Sequence, residues 1–198
     1  MNIGISVVSV ALCLISITFF LIGAIGYSTD YDTIRHIPWI VVSTDGTDQD
    51  LYYGLKSIST RFSGIKFYLS YGDDACTPDW CDDCEKDGDG AFALTFIALF
   101  FATVTLVVNF LSATIQGAIA LNTVNIVALC SSLLAGIAAV IALGLFMGDC
   151  YNEVDDSADN IDLEWGNGAI VVMVGMLVMW IVTILQVCAM FITSCSRS

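Results

Sequence analysis

The densest chemistry in this sequence lies in residues 76–90, CTPDWCDDCEKDGDG. Three cysteines stand there, Cys76, Cys81 and Cys84, and a fourth, Cys150, follows far downstream. Thiolates at such spacing can hold zinc, exchange disulfides or close structural bridges. A structural zinc site takes four ligands, and the only histidine, His36, lies forty residues before Cys76. A redox Cys-x-x-Cys normally opens a helix on a thioredoxin-like scaffold, and no such strand-and-helix pattern is present. Two structural disulfides among Cys76, Cys81, Cys84 and Cys150 are therefore expected, with three pairings open.

The same segment is rich in hard oxygen ligands: Asp82, Asp83, Glu85, Asp87 and Asp89. Aligned as an EF-hand loop from Asp83, it puts Leu94 where a bidentate Glu is required. A start at Glu85 puts Phe96 there instead, so the EF-hand reading fails. Weak calcium binding of another kind competes with a plain solvated acidic face. His36 reads as an ordinary loop residue. No Ser-His-Asp or Cys-His set and no Gly-rich phosphate loop accompanies it. Neither an enzyme nor a cofactor is expected.

The elements that must hold these residues are read from composition. Of 198 residues, 57% are hydrophobic and only 13% charged, and the mean hydropathy is +0.82. Four stretches, 3–26, 91–112, 124–147 and 168–192, contain no Asp, Glu, Lys or Arg. Each meets the roughly 20 residues a helix needs to cross ~30 Å of hydrocarbon. They are apolar all round rather than along one stripe, which argues for lipid. The first is not read as a cleaved signal, because Met1-Asn2 supplies no basic flank and the apolar run is too long. The chain reads as one four-span membrane domain over 1–198.

Charge sorts the remainder. The 27–90 loop holds 13 acids and five bases, and the 148–167 loop holds seven acids and no base. The net charge of −14 leaves no basic stripe to displace phosphate counterions, so nucleic acid is excluded as a partner. Four spans place both loops on one side and both termini with the 113–123 connection on the other. The positive-inside rule has only Arg197 to count. Clustered loop cysteines suit an oxidising compartment, so the loops are expected outside and the termini in the cytosol. The plasma membrane or another secretory-pathway membrane is the expected location.

Within the first loop, Ile65, Phe67 and Leu69 alternate with Lys66, Tyr68 and Ser70, which reads as a strand. So does 51–57, and a third apolar run spans 37–42 before the turn-rich STDGTDQD. The expected fold class is thus an all-α transmembrane four-helix bundle with a small extracellular antiparallel β-sheet in its first outer loop. Small residues mark expected helix packing: Ala128, Ser132, Gly136 and Gly144 in the third span, and Gly175 in the fourth. The amides Asn109, Asn125 and Gln186 are expected to hydrogen-bond between helices.

Four spans, a first loop containing Pro38-Trp39 and Tyr53-Gly54-Leu55, later loop cysteines and a Gly166-Asn167-Gly168 entry to the last span form a pattern. It resembles the claudin-type tetraspans, a group that includes the peripheral myelin protein relatives and the amastins. Claudins follow Gly-Leu with Trp and two spaced cysteines; here Lys56 follows Leu55 and the first cysteine is Cys76. Cys76, Trp80 and Cys84 echo the amastin run without its glycine. The ending SCSRS is unlike the PDZ-binding tail of junctional claudins. The resemblance implies a claudin-like fold, and its paired cysteines imply Cys76–Cys84, leaving Cys81–Cys150 to join the loops. It also implies a non-enzymatic tetraspan making lateral or cell-surface contacts. An auxiliary subunit of a larger complex such as a channel is the first alternative, and a cation pathway or weak calcium-binding surface the second. Expected partners are the lipid bilayer, other membrane proteins or copies of the chain, and calcium in the weak mode above.

Overall fold

The computed structural model describes residues 3–44, 50–62, 65–78, 80–114, 118–152, 154 and 161–195. In chain order the elements begin with α1 (Ile3–Ile25), a short α2 (Tyr31–His36), β1 (Ile40–Thr44) and β2 (Asp50–Tyr53). They continue with β3 (Ser57–Phe62), β4 (Ile65–Ser70), α3 (Trp80–Thr114) and α4 (Ala118–Leu145). The fourth helix runs on into a π-helical turn (Phe146–Cys150), followed by β5 (Ile161–Trp165) and α5 (Asn167–Cys195). Residues 45–49 of the expected turn, 115–117 of the connection, 155–160 of the second loop and the ending 196–198 lie outside the described residues.

Helices α1, α3, α4 and α5 are each long and apolar enough to cross a membrane. They form a closed bundle in which α1 and α4 each pack against α3 and α5. Small side chains fill its interior: Ala98, Ala102, Ala135, Ala139 and Ala142 are wholly buried. Large ones point outward, with Phe110 65% and Phe191 68% exposed. That inverts the pattern of a water-soluble bundle. It suits lipid, where burial of apolar area offers no drive and close backbone approach does the packing. Buried polar side chains then pair across the seams. Gln186 Nε2 donates to Asn109 Oδ1 at 2.5 Å, and Thr183 Oγ1 donates to Ser132 Oγ at 2.9 Å. Thr105 and Ser131 share a hydroxyl hydrogen bond at 2.8 Å, and Ser16 donates to the Gly175 carbonyl at 2.9 Å. Asn125 is likewise buried.

The second spanning helix starts eleven residues earlier than its uncharged stretch. Residues 80–90, expected as loop, are the first turns of α3. Asp82 and Asp83 lie in its first turn, where carboxylates meet the unpaired N–H groups and the positive end of the helix dipole. The 35-residue helix is about 52 Å long against ~30 Å of hydrocarbon, so its charged start stands outside the span. We take the membrane-spanning part to begin at Ala91.

The sheet has five antiparallel strands in the order β4-β3-β2-β1-β5, where three strands from one loop were expected. The extra strands have separable causes. β5 comes from the second loop and pairs Leu163 with Val42 and Trp165 with Ile40, so both loops build one sheet. β3 escaped the sequence pattern because Ser57 and Ser59 occupy one of its faces. Both serines are fully buried, and α2 packs against β3 as well as β2 and β4. A sheet face covered by a helix at short range takes small residues rather than branched apolar ones. α2 is itself held by Asp30, whose carboxylate accepts from the Thr33 backbone N–H at 3.1 Å as an N-cap.

Candidate functional site

The sheet is fixed to the helices through Trp39, which is wholly buried. Pro38 cannot donate a backbone hydrogen bond, and its carbonyl accepts from Gly168 N–H at 2.7 Å. The Trp39 N–H donates to the Tyr53 carbonyl at 2.8 Å, and its carbonyl accepts from Gly166 N–H at 2.9 Å. The indole Nε1–H donates to the Gly23 carbonyl at 3.1 Å, and the ring meets Phe146 edge-on, 5.4 Å between centroids. Glycine is required around it: a Cβ on Gly26 or Gly168 would lie 2.6 Å from the indole. Gly54 stands against the Gly26 carbonyl, and Leu55 N–H donates to that same oxygen at 2.8 Å. One joint therefore gathers Pro38-Trp39, Gly54-Leu55 and Gly166–Gly168. Tyr71 Oη donates to the Gly54 carbonyl at 2.9 Å beside it. Burial pushes the Tyr71 phenol well above its ordinary value and the Tyr53 phenol up to about 12, so neither ionises near neutrality.

The disulfides are Cys76–Cys81 and Cys84–Cys150, which corrects the pairing implied by the resemblance. The reason is the helical start of α3. Cys81 sits in the first turn and meets Cys76 on the segment leading into it, 6.0 Å between Cα atoms. Cys84, one turn further along, is level with Cys150 in the π-helical turn at 4.8 Å. The second bridge ties the start of α3 to the end of α4, with both cysteines fully buried. Cys13, Cys130 and Cys188 are free.

The acidic candidates are separated by the same helix. Successive residues turn by about 100°, so Asp82, Glu85 and Asp89 follow one stripe and Asp83 and Asp87 another. Asp89 Oδ1 accepts from Tyr27 Oη at 2.6 Å, and that phenol oxygen accepts from Lys56 Nζ at 3.0 Å. Asp83 faces Lys86 at 3.8 Å, both exposed. Burial, then Asp149, then Asp83 push the Asp87 carboxyl above its ordinary value, a sign of crowded like charge. Among the described residues, no three His, Cys, Asp or Glu side chains converge to hold an ion. His36 is the exposed last residue of α2, and its carbonyl accepts from Asn167 Nδ2 at 3.4 Å.

Of the packing positions, Ala128 and Ser132 are buried, Gly136 lies under Trp180 with 3.3 Å left for a Cβ, and Gly175 lies under Phe20. Gly144 is a correction: it has open space around it and faces outward. The i, i+4 repeat that singled it out carries no information about which side of the helix is inside.

One surface went unread in the sequence. Leu51, Tyr53, Ile58, Phe67 and Leu69 with Trp80 line a groove of about 440 Å³ between the sheet and the start of α3. Register places Ile40, Tyr53, Ile58 and Leu69 in one row across the sheet, and Val42, Leu51, Thr60 and Phe67 in the next. Towards β1 this dry face is buried, with Ile40 and Val42 inside. Towards β4 it runs past its cover, leaving Ile65 60% and Phe67 49% exposed. The alternation at 65–70 was the available signal; that its apolar side stays bare was not legible. No family model and no characterised protein matches the sequence.

Proposed function

We propose that this chain is a non-enzymatic, claudin-type tetraspan whose sheet stands outside the cell and makes contacts with neighbouring membrane proteins. The observation that carries this reading is the sheet assembled from both loops and locked at Trp39, with its dry face extending beyond the bundle. A surface built so firmly and left apolar at one end is the mark of an interface. The joint of Pro38-Trp39, Gly54-Leu55 and Gly166–Gly168 supports the claudin-type assignment, since the resemblance rests on those residues. Among the described residues the bundle interior is packed with alanine and holds no charged side chain, which supports the non-enzymatic reading.

Two measurements test the proposal. Protease added to intact cells is expected to cut the sheet-bearing loops and spare both termini; the reverse pattern inverts the orientation. Cross-linking in native membranes followed by mass measurement in mild detergent is expected to trap a neighbour on the sheet. A chain that stays monomeric with no cross-linked neighbour would sink the contact reading.

A further inference from the structure

The bare end of the dry face has three properties that together select an occupant. Its floor is apolar and aromatic, from Ile58, Phe67, Leu69 and Trp80. Its flanks are mainly acidic: Asp73 and Asp74 are exposed just before the lining residues Ala75 and Cys76, and Asp82 and Asp83 are exposed just after Trp80, with Lys86 3.8 Å from Asp83. The one nearby cation on β4, Lys66, is engaged elsewhere, bound to Asp32 at 2.6 Å and resting 4.9 Å from the Tyr31 ring. Finally, β4 is an edge strand, paired among the described residues with β3 alone; the Asp73 N–H closes its end by donating to the Ser70 carbonyl at 3.2 Å, and the strand before Ser70 offers a main-chain edge.

Lipid does not fit these properties. Trp80 lies eleven residues before Ala91, about 16 Å up the helix axis from the first turn of the uncharged span. Acyl chains do not reach that level, and a phosphodiester would meet carboxylates with no basic lining residue. An aqueous polypeptide partner fits all three. Building on the contact reading above, we propose that the groove receives an extended segment of a partner protein carrying an apolar or aromatic side chain with Lys or Arg two positions to either side, on the same face of the strand. The segment adds to the free edge of β4 by main-chain hydrogen bonds and seats one apolar or aromatic side chain against Phe67 and Trp80. Its basic side chains meet Asp73, Asp74, Asp82 and Asp83.

The test uses the full chain, oxidised, in nanodiscs of zwitterionic lipid. The probe is a fluorescent synthetic peptide, Lys-Lys-Val-Phe-Val-Lys-Lys, with a Glu-for-Lys analogue and a version N-methylated on alternate amides. The lysine peptide is expected to bind about tenfold or more tightly than either control, with affinity falling as salt rises. Phe67→Gln, at a half-exposed site, is expected to weaken it by about tenfold with the melting temperature unchanged. Equal binding of the lysine and glutamate peptides, or no effect of Phe67→Gln, overturns the proposal. So does a dimer in the nanodisc that Phe67→Gln dissolves, which makes a second copy the occupant. Bromine-labelled phospholipid that quenches the part of the tryptophan fluorescence lost in Trp80→Phe would equally overturn it in favour of lipid. Failure here, with a neighbour still cross-linked on the sheet, removes the groove and leaves the contact reading standing.

Discussion

At the scale of single residues, Trp39 carries more of the joint than any neighbour, because its ring and its N–H serve different partners. Trp39→Phe keeps an aromatic ring against Phe146 but removes one of the two donors to the Gly23 carbonyl, leaving it the Gly26 N–H at 3.1 Å. A loss of about 1–2 kcal/mol is expected, a hydrogen bond and some packing. Trp39→Ala removes the ring from a fully buried site and should cost about 3–5 kcal/mol. Thermal unfolding followed by near-ultraviolet circular dichroism ranks the two, and equal losses would put the joint elsewhere. Asp87 makes the opposite kind of prediction. Its folded-state carboxyl is raised by burial, Asp149 and Asp83, so its ionised form opposes folding. Asp87→Asn should therefore stabilise the protein at neutral pH. The gain should fade as pH falls through the raised value, where the native carboxyl is protonated and equally neutral. A melting series from neutral to acid pH checks this; a gain that persists in acid would refute the electrostatic cause.

At the scale of elements, two glycines in helices should respond in opposite directions to one methyl group. Gly88 in α3 presses on the backbone of Leu55, and a Cβ there would overlap the Leu55 carbonyl oxygen. Backbone cannot swing aside as a side chain can, so Gly88→Ala should separate α3 from the sheet and destabilise by about 1–3 kcal/mol. Helix propensity alone would favour that alanine by about 1 kcal/mol, and sterics must win for the prediction to hold. Gly144→Ala meets open space and should be neutral or stabilising by up to about 1 kcal/mol. Thermal melts of both variants decide it, and a destabilised Gly144→Ala would place that face against a neighbour. The same contrast shows what the sequence could yield. The spans were legible because an uncharged run of 22 or more residues has few other uses. β4 was legible by its period of two, and β5 offered the same signal in Ile161, Leu163 and Trp165 against Asp162 and Glu164. β3 was hidden by serines that only the cover of α2 explains. Gly144 and the cysteine pairing were misread for one shared reason. Both depend on the rotational phase and start of a helix, which spacing alone leaves undetermined.

At the scale of the whole molecule, the acidic sheet and the apolar bundle are two materials held together at Trp39 and by the Cys84–Cys150 bridge. The loops carry all 20 acids of the chain, and their mutual repulsion is least screened at low salt, where the Debye length reaches about 30 Å at 0.01 M. The helices close their own backbone hydrogen bonds in lipid and need no sheet to stay inserted. The bridges differ in what they restrain. Cys84–Cys150 spans 66 residues and in the chain-entropy account is worth at most about 4 kcal/mol; Cys76–Cys81 spans five and is worth about 2. The larger figure is an upper limit, since both its cysteines flank inserted helices and the unfolded loop is already tethered. It still reaches further, because it fixes the start of α3, on which Leu55 and the groove both rest. Replacing Cys84 and Cys150 together by alanine should expose β1–β4 to protease while the four helices stay protected. Replacing Cys76 and Cys81 should loosen only the segment before Trp80. Added salt should slow the cleavage in the first variant, because screening relieves the acids that the bridge had held in place. Limited proteolysis of both variants in nanodiscs across a salt series reads the difference. Equal cleavage of the two would remove the Cys84–Cys150 bridge as what holds the sheet, and cleavage indifferent to salt would remove the repulsion.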